Sequence, residues 1–452
     1  MILKFLPAIL QRKIEHRRGL LRILDNIGWL FFDKIFRMIV GLIVGIWVAR
    51  YLGPIKFGLL SYSIAFVTLF DSVASVGFST GIIVRDLVQY PSVADTTMGT
   101  AFAMLFSGGI CAFGLALFSV RYVRPDDLMA IFAVTLLAFR LVFRATDVVK
   151  FWFESQVQSK YVVWTENGII LLFTTVRIFL IVSNATFMAF IWTLFAEGLL
   201  LAVGLIGVYV WVGGKISAWK LSFTRAGDLL KDSWPLILTG IAYMVYMRID
   251  QIMLGHILGD GSVGIYTAAV TISEALYFIP MTITASVFPT IIEAKKNNEA
   301  IYSLRIQQLF DLMNVLALAV AIPMTFLSDS IISLLFGPEY QRAGTVLAVH
   351  VWAGIFYFLM AAGGKWFLIE GLQRYSFYRA LFGAIVNIGL NLILIPKLEI
   401  LGAAIATIIS LAWASMLFNL FSNKTRPIFF MQCKSFLSTF RFLITFTKLK
   451  QI

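Results

Sequence analysis

The sequence predicts an all-α integral membrane protein of about twelve transmembrane helices, arranged as two similar halves of roughly six spans each. Three observations carry this reading. The first is composition: of 452 residues, 60% are apolar and only 13% charged, whereas a soluble domain is ~45–50% apolar and ~25% charged. The second is spacing: apolar runs near the ~20 residues needed to cross hydrocarbon recur about twelve times, with gaps too short for a soluble domain. The third is an internal repeat. Leu52-Gly53 followed by Phe57-Gly58-Leu59 is echoed, 206 residues on, by Leu258-Gly259 followed by Val263-Gly264-Ile265. In both copies an apolar residue precedes each glycine and a small-residue apolar helix follows. Glycine lets the chain turn tightly at a membrane surface without steric penalty, and repeats of this kind mark secondary transporters.

Taken in order, residues 1–24 are basic with apolar positions at roughly helical spacing (Ile9, Leu10, Ile14, Leu20, Leu21, Leu24) and no small-residue cleavage site, which predicts a cytoplasmic amphipathic segment on the membrane surface. An N-lobe over 25–212 holds spans at about 26–48, 59–84, 97–120, 128–148, 162–182 and 187–212. The longest internal polar stretch, 213–234, carries Lys215, Lys220, Arg225 and Lys231 and reads as a cytoplasmic linker. A C-lobe over 235–422 holds spans at about 235–257, 263–291, 306–327, 343–369, 377–395 and 401–421. The basic tail, 423–452, contains an apolar stretch from Ile428 to Phe446 broken by Lys434 and Arg441. Its basic flanks favour an interfacial helix, with a thirteenth span as the alternative.

Lys and Arg set the orientation. With the N-terminus in the cytoplasm, cytoplasmic segments carry about 24 basic residues and outer loops about 6. The positive-inside rule therefore puts both termini in the cytoplasm. The net charge of +13 is then explained by membrane topology rather than by nucleic acid. Cys111 and Cys433 lie far apart, so no disulfide framework is implied.

Seven bases inside spans stand out: Lys34, Arg37, Arg140, Arg144, Arg177, Arg248 and Lys365. A charge at the bilayer centre costs at least ~2.5–3.5 kcal/mol on insertion scales and requires a partner or a wet cavity. Lys34 and Arg37 share a helix face, with Asp33 four residues before Arg37; Arg140, Arg144 and Asp147 form one stripe. Lys34, Arg37, Arg140, Arg144, Arg248 and Lys365 are the expected substrate-binding cations, because the guanidinium fork matches phosphate. The intramembrane acids Asp71, Asp250 and Glu274 read either as ion-coupling groups or as charge partners of these cations. Asp71 displaced by 206 falls at 277, close to Glu274. No P-loop, no Asp-x-Asp pattern and no spacing of metal ligands occurs, so no ATPase or glycosyltransferase chemistry, cofactor or metal is expected.

Several motifs then coincide. They are Ala49–Gly58 (ARYLGPIKFG), Arg248–Gly255 (RIDQIMLG), Val263–Ala269 (VGIYTAA), Phe336–Tyr340 (FGPEY), and Asn391, Pro396 and Gly402–Thr407 (GAAIAT). With these the chain resembles the oligosaccharide flippases of the multidrug/oligosaccharidyl-lipid/polysaccharide exporter superfamily, in particular bacterial O-antigen flippases. The resemblance covers nearly the whole chain. It implies two pseudo-symmetric six-helix lobes forming a V around a central cavity, alternating access, and, in a bacterial inner membrane, transfer of an undecaprenyl-diphosphate-linked oligosaccharide from the cytoplasmic to the periplasmic leaflet for lipopolysaccharide or other surface glycan. It also implies membrane lipids and possible glycan polymerase and chain-length proteins as partners. Of the charged residues, Arg248 and Asp250 lie in a matching motif; the others rest on chemistry alone. Gly53-Pro54, Pro280, Pro289 and Pro323 are expected bend points. The rival readings are a cation-coupled multidrug antiporter of the same superfamily and a membrane polysaccharide polymerase.

Overall fold

A computed structural model describes residues 18–78 and 81–449, so residues 1–17 of the expected N-terminal segment lie outside it. The described residues form helices joined by short turns, with no strand among them. Ten stretches are long and apolar enough to cross a membrane. Two of these contain a sharp break, at Gly53 and at Glu399. Each break converts one continuous stretch into two crossings, which accounts for the twelve spans expected from hydropathy.

The repeat is visible in the backbone. Helix α1 runs Arg18–Thr68 and breaks at Gly53 (φ 70°, ψ 170°). Gly259, its counterpart, takes φ 84° and ψ 171° just before a later helix, and Gly337 in the FGPEY motif takes φ 89° and ψ −179°. A residue with a Cβ is strained in this region, so glycine is dictated by backbone geometry. The second span is not one helix. It stops at Thr68, resumes as the short α2 (Asp71–Ala74), turns through Val76 and Gly77 at positive φ, and continues as α3 (Ile82–Gln89).

The chain divides into two compact units, one formed by residues up to Tyr51 with Phe66–Ile241, the other by Leu52–Ala65 with Ala242–Ile452. In unit 1, α1 up to Tyr51 and α2 and α3 are joined by α4 (Ala94–Val123), α5 (Leu128–Phe143), α6 (Asp147–Ser155), α7 (Lys160–Val182), α8 (Phe187–Trp211) and the start of α9 (Phe223–Ile257). Its core includes Phe78, Ile83, Met98, Leu105 and Phe153. Residues 213–234 pack on α4: the Lys220 amide donates to the Asp95 carbonyl (3.2 Å), and the Ser222 amide to Thr100 Oγ1 (3.1 Å). Arg225 bonds buried Asp86 at 2.8 Å. Outside the crossing helices, the carboxylates of Asp232 and Asp86 hold Arg85 above the ordinary guanidinium range by accepting its hydrogen bonds.

Unit 2 contains residues 52–65 of α1, the rest of α9, α10 (Asp260–Ala275), α11 (Phe278–Asn297), α12 (Glu299–Phe336), α13 (Arg342–His350), α14 (Ala353–Ile369), α15 (Gln373–Ser415) and α16 (Arg426–Leu449). Within it the two repeat motifs pack on each other. A Cβ on Gly58 would lie 1.7 Å from the Asp260 carbonyl oxygen, and one on Gly264 would lie 2.0 Å from the Pro54 carbonyl oxygen. Each motif thus uses its second glycine to admit the backbone of the other. Pro289 and Pro323 stay within α11 and α12 instead of ending them, and Pro280 sits in the first turn of α11, where proline is tolerated. Helix α16 docks along α12: Gln307 Nε2 donates to the Met431 carbonyl (3.1 Å) and Ser438 to Asp311 (2.9 Å), with Ile428, Gln432 and Ser435 buried.

Candidate functional site: charges within the apolar helices

Seven charged residues of unit 1 form one chain of alternating sign. Arg37 Nε donates to Asp33 (2.7 Å), one turn back on α1, and its Nη2 bonds Glu166 of α7. The other Glu166 oxygen takes Lys150 Nζ at 2.7 Å. Lys150 reaches Asp147 at 2.8 Å, both on α6. Asp147 accepts from Arg144 (3.3 Å), which bonds Asp71 at the start of α2 (2.8 Å). Three cations therefore alternate with four carboxylates across five segments. Most side chains remain partly open: Arg37 is 30% exposed and Asp71 35%, while Glu166 at the centre is 8% exposed.

Local backbone explains the arrangement. Helix α5 ends at Phe143 and residues Arg144–Thr146 form a 3-10 turn before α6 begins. Of the expected stripe of Arg140, Arg144 and Asp147, the Arg144–Asp147 pair forms and Arg140 is left out of it. Arg140 is exposed beside Gly198 and makes no ion pair among the described residues, and the same is true of exposed Lys34. Arg177 pairs with Glu197.

In unit 2, Arg248 Nη2 bonds Glu274 at 3.1 Å, with the side chains 30% and 21% exposed. Tyr277 and Tyr357 stack beside this pair, ring centres 3.7 Å apart. Asp250 points elsewhere. It is buried and accepts from Tyr266, from the Gln251 amide (2.8 Å) and from Thr407 (3.3 Å), joining α9, α10 and α15. It makes no ion pair among the described residues. Lys365 meets no carboxylate among them either; its Nζ lies 4.9 Å above the Phe288 ring. Buried His350 bonds Ser273 at 3.0 Å.

The structure brings together Arg37, Arg144 and Asp71 in one network, and Arg248 and Glu274 in another; Lys34, Arg140, Lys365 and Asp250 stand apart. Sequence reasoning missed Lys150, Glu166 and Arg379. Hydropathy leaves Lys150 just beyond the fourth span, and Arg379 lies at the very start of the eleventh, where a base passes as flanking. Glu166 sits in the second turn of α7, where an acid near a helix start passes as ordinary. Arg379 is buried over the Phe367 ring (4.7 Å), with Nη1 lacking a hydrogen-bond partner.

About twelve apolar helices in two repeated halves, with paired charges held inside them, define a multi-pass membrane protein of the transporter class. A family model described as polysaccharide biosynthesis protein matches residues 23–295, and that of lipid II flippase MurJ matches residues 169–448. The chain belongs to the polysaccharide biosynthesis protein family, within the exporter superfamily that its motifs resemble. Among curated proteins it is 25% identical over 401 residues to "Probable flippase AglR" of Haloferax volcanii, covering 86% of this chain and 80% of that one. Among solved structures, lipid II flippase MurJ in an inward closed conformation matches with a TM-score of 0.70 at 15% identity, covering 93% of both chains. An inward-facing multidrug resistance transporter of the same superfamily matches with a TM-score of 0.65 at 14% identity, covering 94% of this chain and 99% of that one. These structural likenesses speak to the fold.

Proposed function

We propose that this protein is a flippase that carries a polyprenyl-diphosphate-linked oligosaccharide, such as an O-antigen repeat unit, from the cytoplasmic to the outer leaflet of a bacterial inner membrane, with both termini cytoplasmic. The observation that carries the reading is the placement of Arg37, Arg144 and Arg248 in apolar helices with guanidinium groups still partly open. Membership of the polysaccharide biosynthesis family and likeness to a flippase over most of the chain support it. The diphosphate is the part of such a substrate that lipid rejects. Arginines replace its hydration with bidentate hydrogen bonds, while the prenyl chain stays in hydrocarbon. Transfer then consists of exposing these groups first to one leaflet and then to the other.

One observation favours the rival cation-coupled antiporter: in the unit 1 network carboxylates outnumber cations. Leaflet sidedness decides between them. In a deletion strain the lipid-linked oligosaccharide should be inaccessible to a reagent confined to the outer side, and complementation should expose it. Arg248→Ala should abolish that recovery at normal expression. Accessible substrate in the deletion strain refutes the flippase reading, and full recovery with Arg248→Ala refutes the role of that arginine.

A further inference from the structure

We propose that Glu166 is an internal counter-ion that competes with the substrate diphosphate for Arg37 and Lys150, holding them neutralised when the carrier is empty and yielding them when it is loaded. This rests on the flippase reading above. Glu166 bridges two cations of the unit 1 network, one oxygen on Arg37 and the other on Lys150. Without it the chain falls into an Asp33–Arg37 pair and a separate Lys150–Asp147–Arg144–Asp71 run.

The chemistry of exchange is symmetrical. A carboxylate and a phosphate both match the guanidinium fork, so each diphosphate oxygen that reaches Arg37 displaces a carboxylate oxygen of similar geometry. The exchange is open sterically from the cation side, because Arg37 and Lys150 are 30% and 26% exposed while Glu166 lies behind them at 8%. It is also useful in both directions. An empty site with bare cations in apolar helices is costly and would retain the anion it delivers. Carboxylates that close on the cations as the diphosphate leaves lower both costs. Asp71 on Arg144 makes the same arrangement at the open end of the chain, at 2.8 Å.

The test is Glu166→Gln, which keeps shape and hydrogen bonding and removes the charge. The readout is flipping in proteoliposomes supplied with polyprenyl-diphosphate-linked N-acetylglucosamine, with half-saturation and turnover measured separately. Loss of one partly screened counter-charge should lower half-saturation about five-fold, or ~1 kcal/mol, and slow turnover by a similar factor because release is retarded. Inorganic pyrophosphate should compete more effectively against the variant. Asp71→Asn, at the exposed end of the network, should shift both quantities the same way, and it keeps the test valid should Glu166→Gln fail to fold. If Glu166 only braces the helices, thermal stability and turnover fall with half-saturation unchanged or raised, and the counter-ion role is refuted. Absence of flipping by the unsubstituted protein refutes the function itself, a different result.

Discussion

Gly58→Ala and Gly264→Ala test whether the two repeat motifs form the crossing that shapes unit 2. An added Cβ on Gly58 would meet the Asp260 oxygen at 1.7 Å and its carbon at 2.6 Å; on Gly264 it would meet the Pro54 oxygen at 2.0 Å. The obstacles are backbone atoms, which cannot rotate aside as a side chain would. The helices must separate by more than about an ångström to restore contact near 3.5 Å, forfeiting dispersion contacts along the seam. Overpacking in a filled core costs ~1–3 kcal/mol and occasionally more, and these sites belong at the upper end. Because both glycines serve one crossing, the double substitution should cost less than the sum of the singles. Gly114, inside α4, is the control: an added methyl there would meet no atom within 4 Å. Alanine at that position should be neutral or stabilising by ~0.5–1 kcal/mol. Thermal unfolding in detergent, followed by tryptophan fluorescence, reads all four variants. Equal midpoints for Gly58→Ala, Gly264→Ala and Gly114→Ala would refute the crossing.

Two further predictions concern cations without carboxylates. Lys365→Ala should weaken transport while Lys365→Arg retains much of it, since Arg preserves both the charge and the contact with the Phe288 ring; equal loss in both, measured by surface glycan at matched expression, would argue for shape over charge. Arg379→Met replaces a buried guanidinium, one nitrogen of which has no hydrogen-bond partner, by an apolar chain of similar length. Such replacements are often neutral or stabilising by ~1–4 kcal/mol, so the melting midpoint should hold or rise. A clear fall would show that stacking on Phe367 outweighs the desolvation of the charge.

Much of the fold was legible because hydropathy and glycine spacing report on single segments. The Gly53 and Gly259 repeat was readable, and the backbone gives both glycines nearly the same dihedrals. Even the break in the second span has its counterpart: α1 stops at Thr68 and α10 at Ala275, near the repeat offset. What spacing cannot reveal is which side chains meet across helices. Asp33 and Arg37 were readable as a pair because they lie one turn apart. Glu166 was not, since its partners Arg37 and Lys150 are 129 and 16 residues away in sequence. Of the stripe of Arg140, Arg144 and Asp147, the contact between residues three apart, Arg144 and Asp147, forms, while Arg140 lies beside Gly198.

The repeat and the charges obey different rules, and the difference bears on mechanism. Asp71 begins the helix that follows the break in unit 1, and Glu274 ends the helix that precedes the matching break in unit 2. Each acid holds an arginine, yet Arg144 comes from the turn after α5 and Arg248 from within α9, positions that the 206-residue offset does not relate. The 206-residue offset thus nearly relates the two acids, whereas their arginines come from unrelated positions. Unit 1 holds a network that shares counter-ions among three cations, whereas in unit 2 Arg248 pairs with Glu274 alone among the described residues. An anion arriving at Arg248 has one carboxylate to displace. An anion arriving at Arg37 or Arg144 disturbs a chain in which every cation has two carboxylate neighbours, so exchange at one end is felt at the other. On these grounds charge substitutions in unit 1 should couple to one another, and Arg248→Ala should act independently of them.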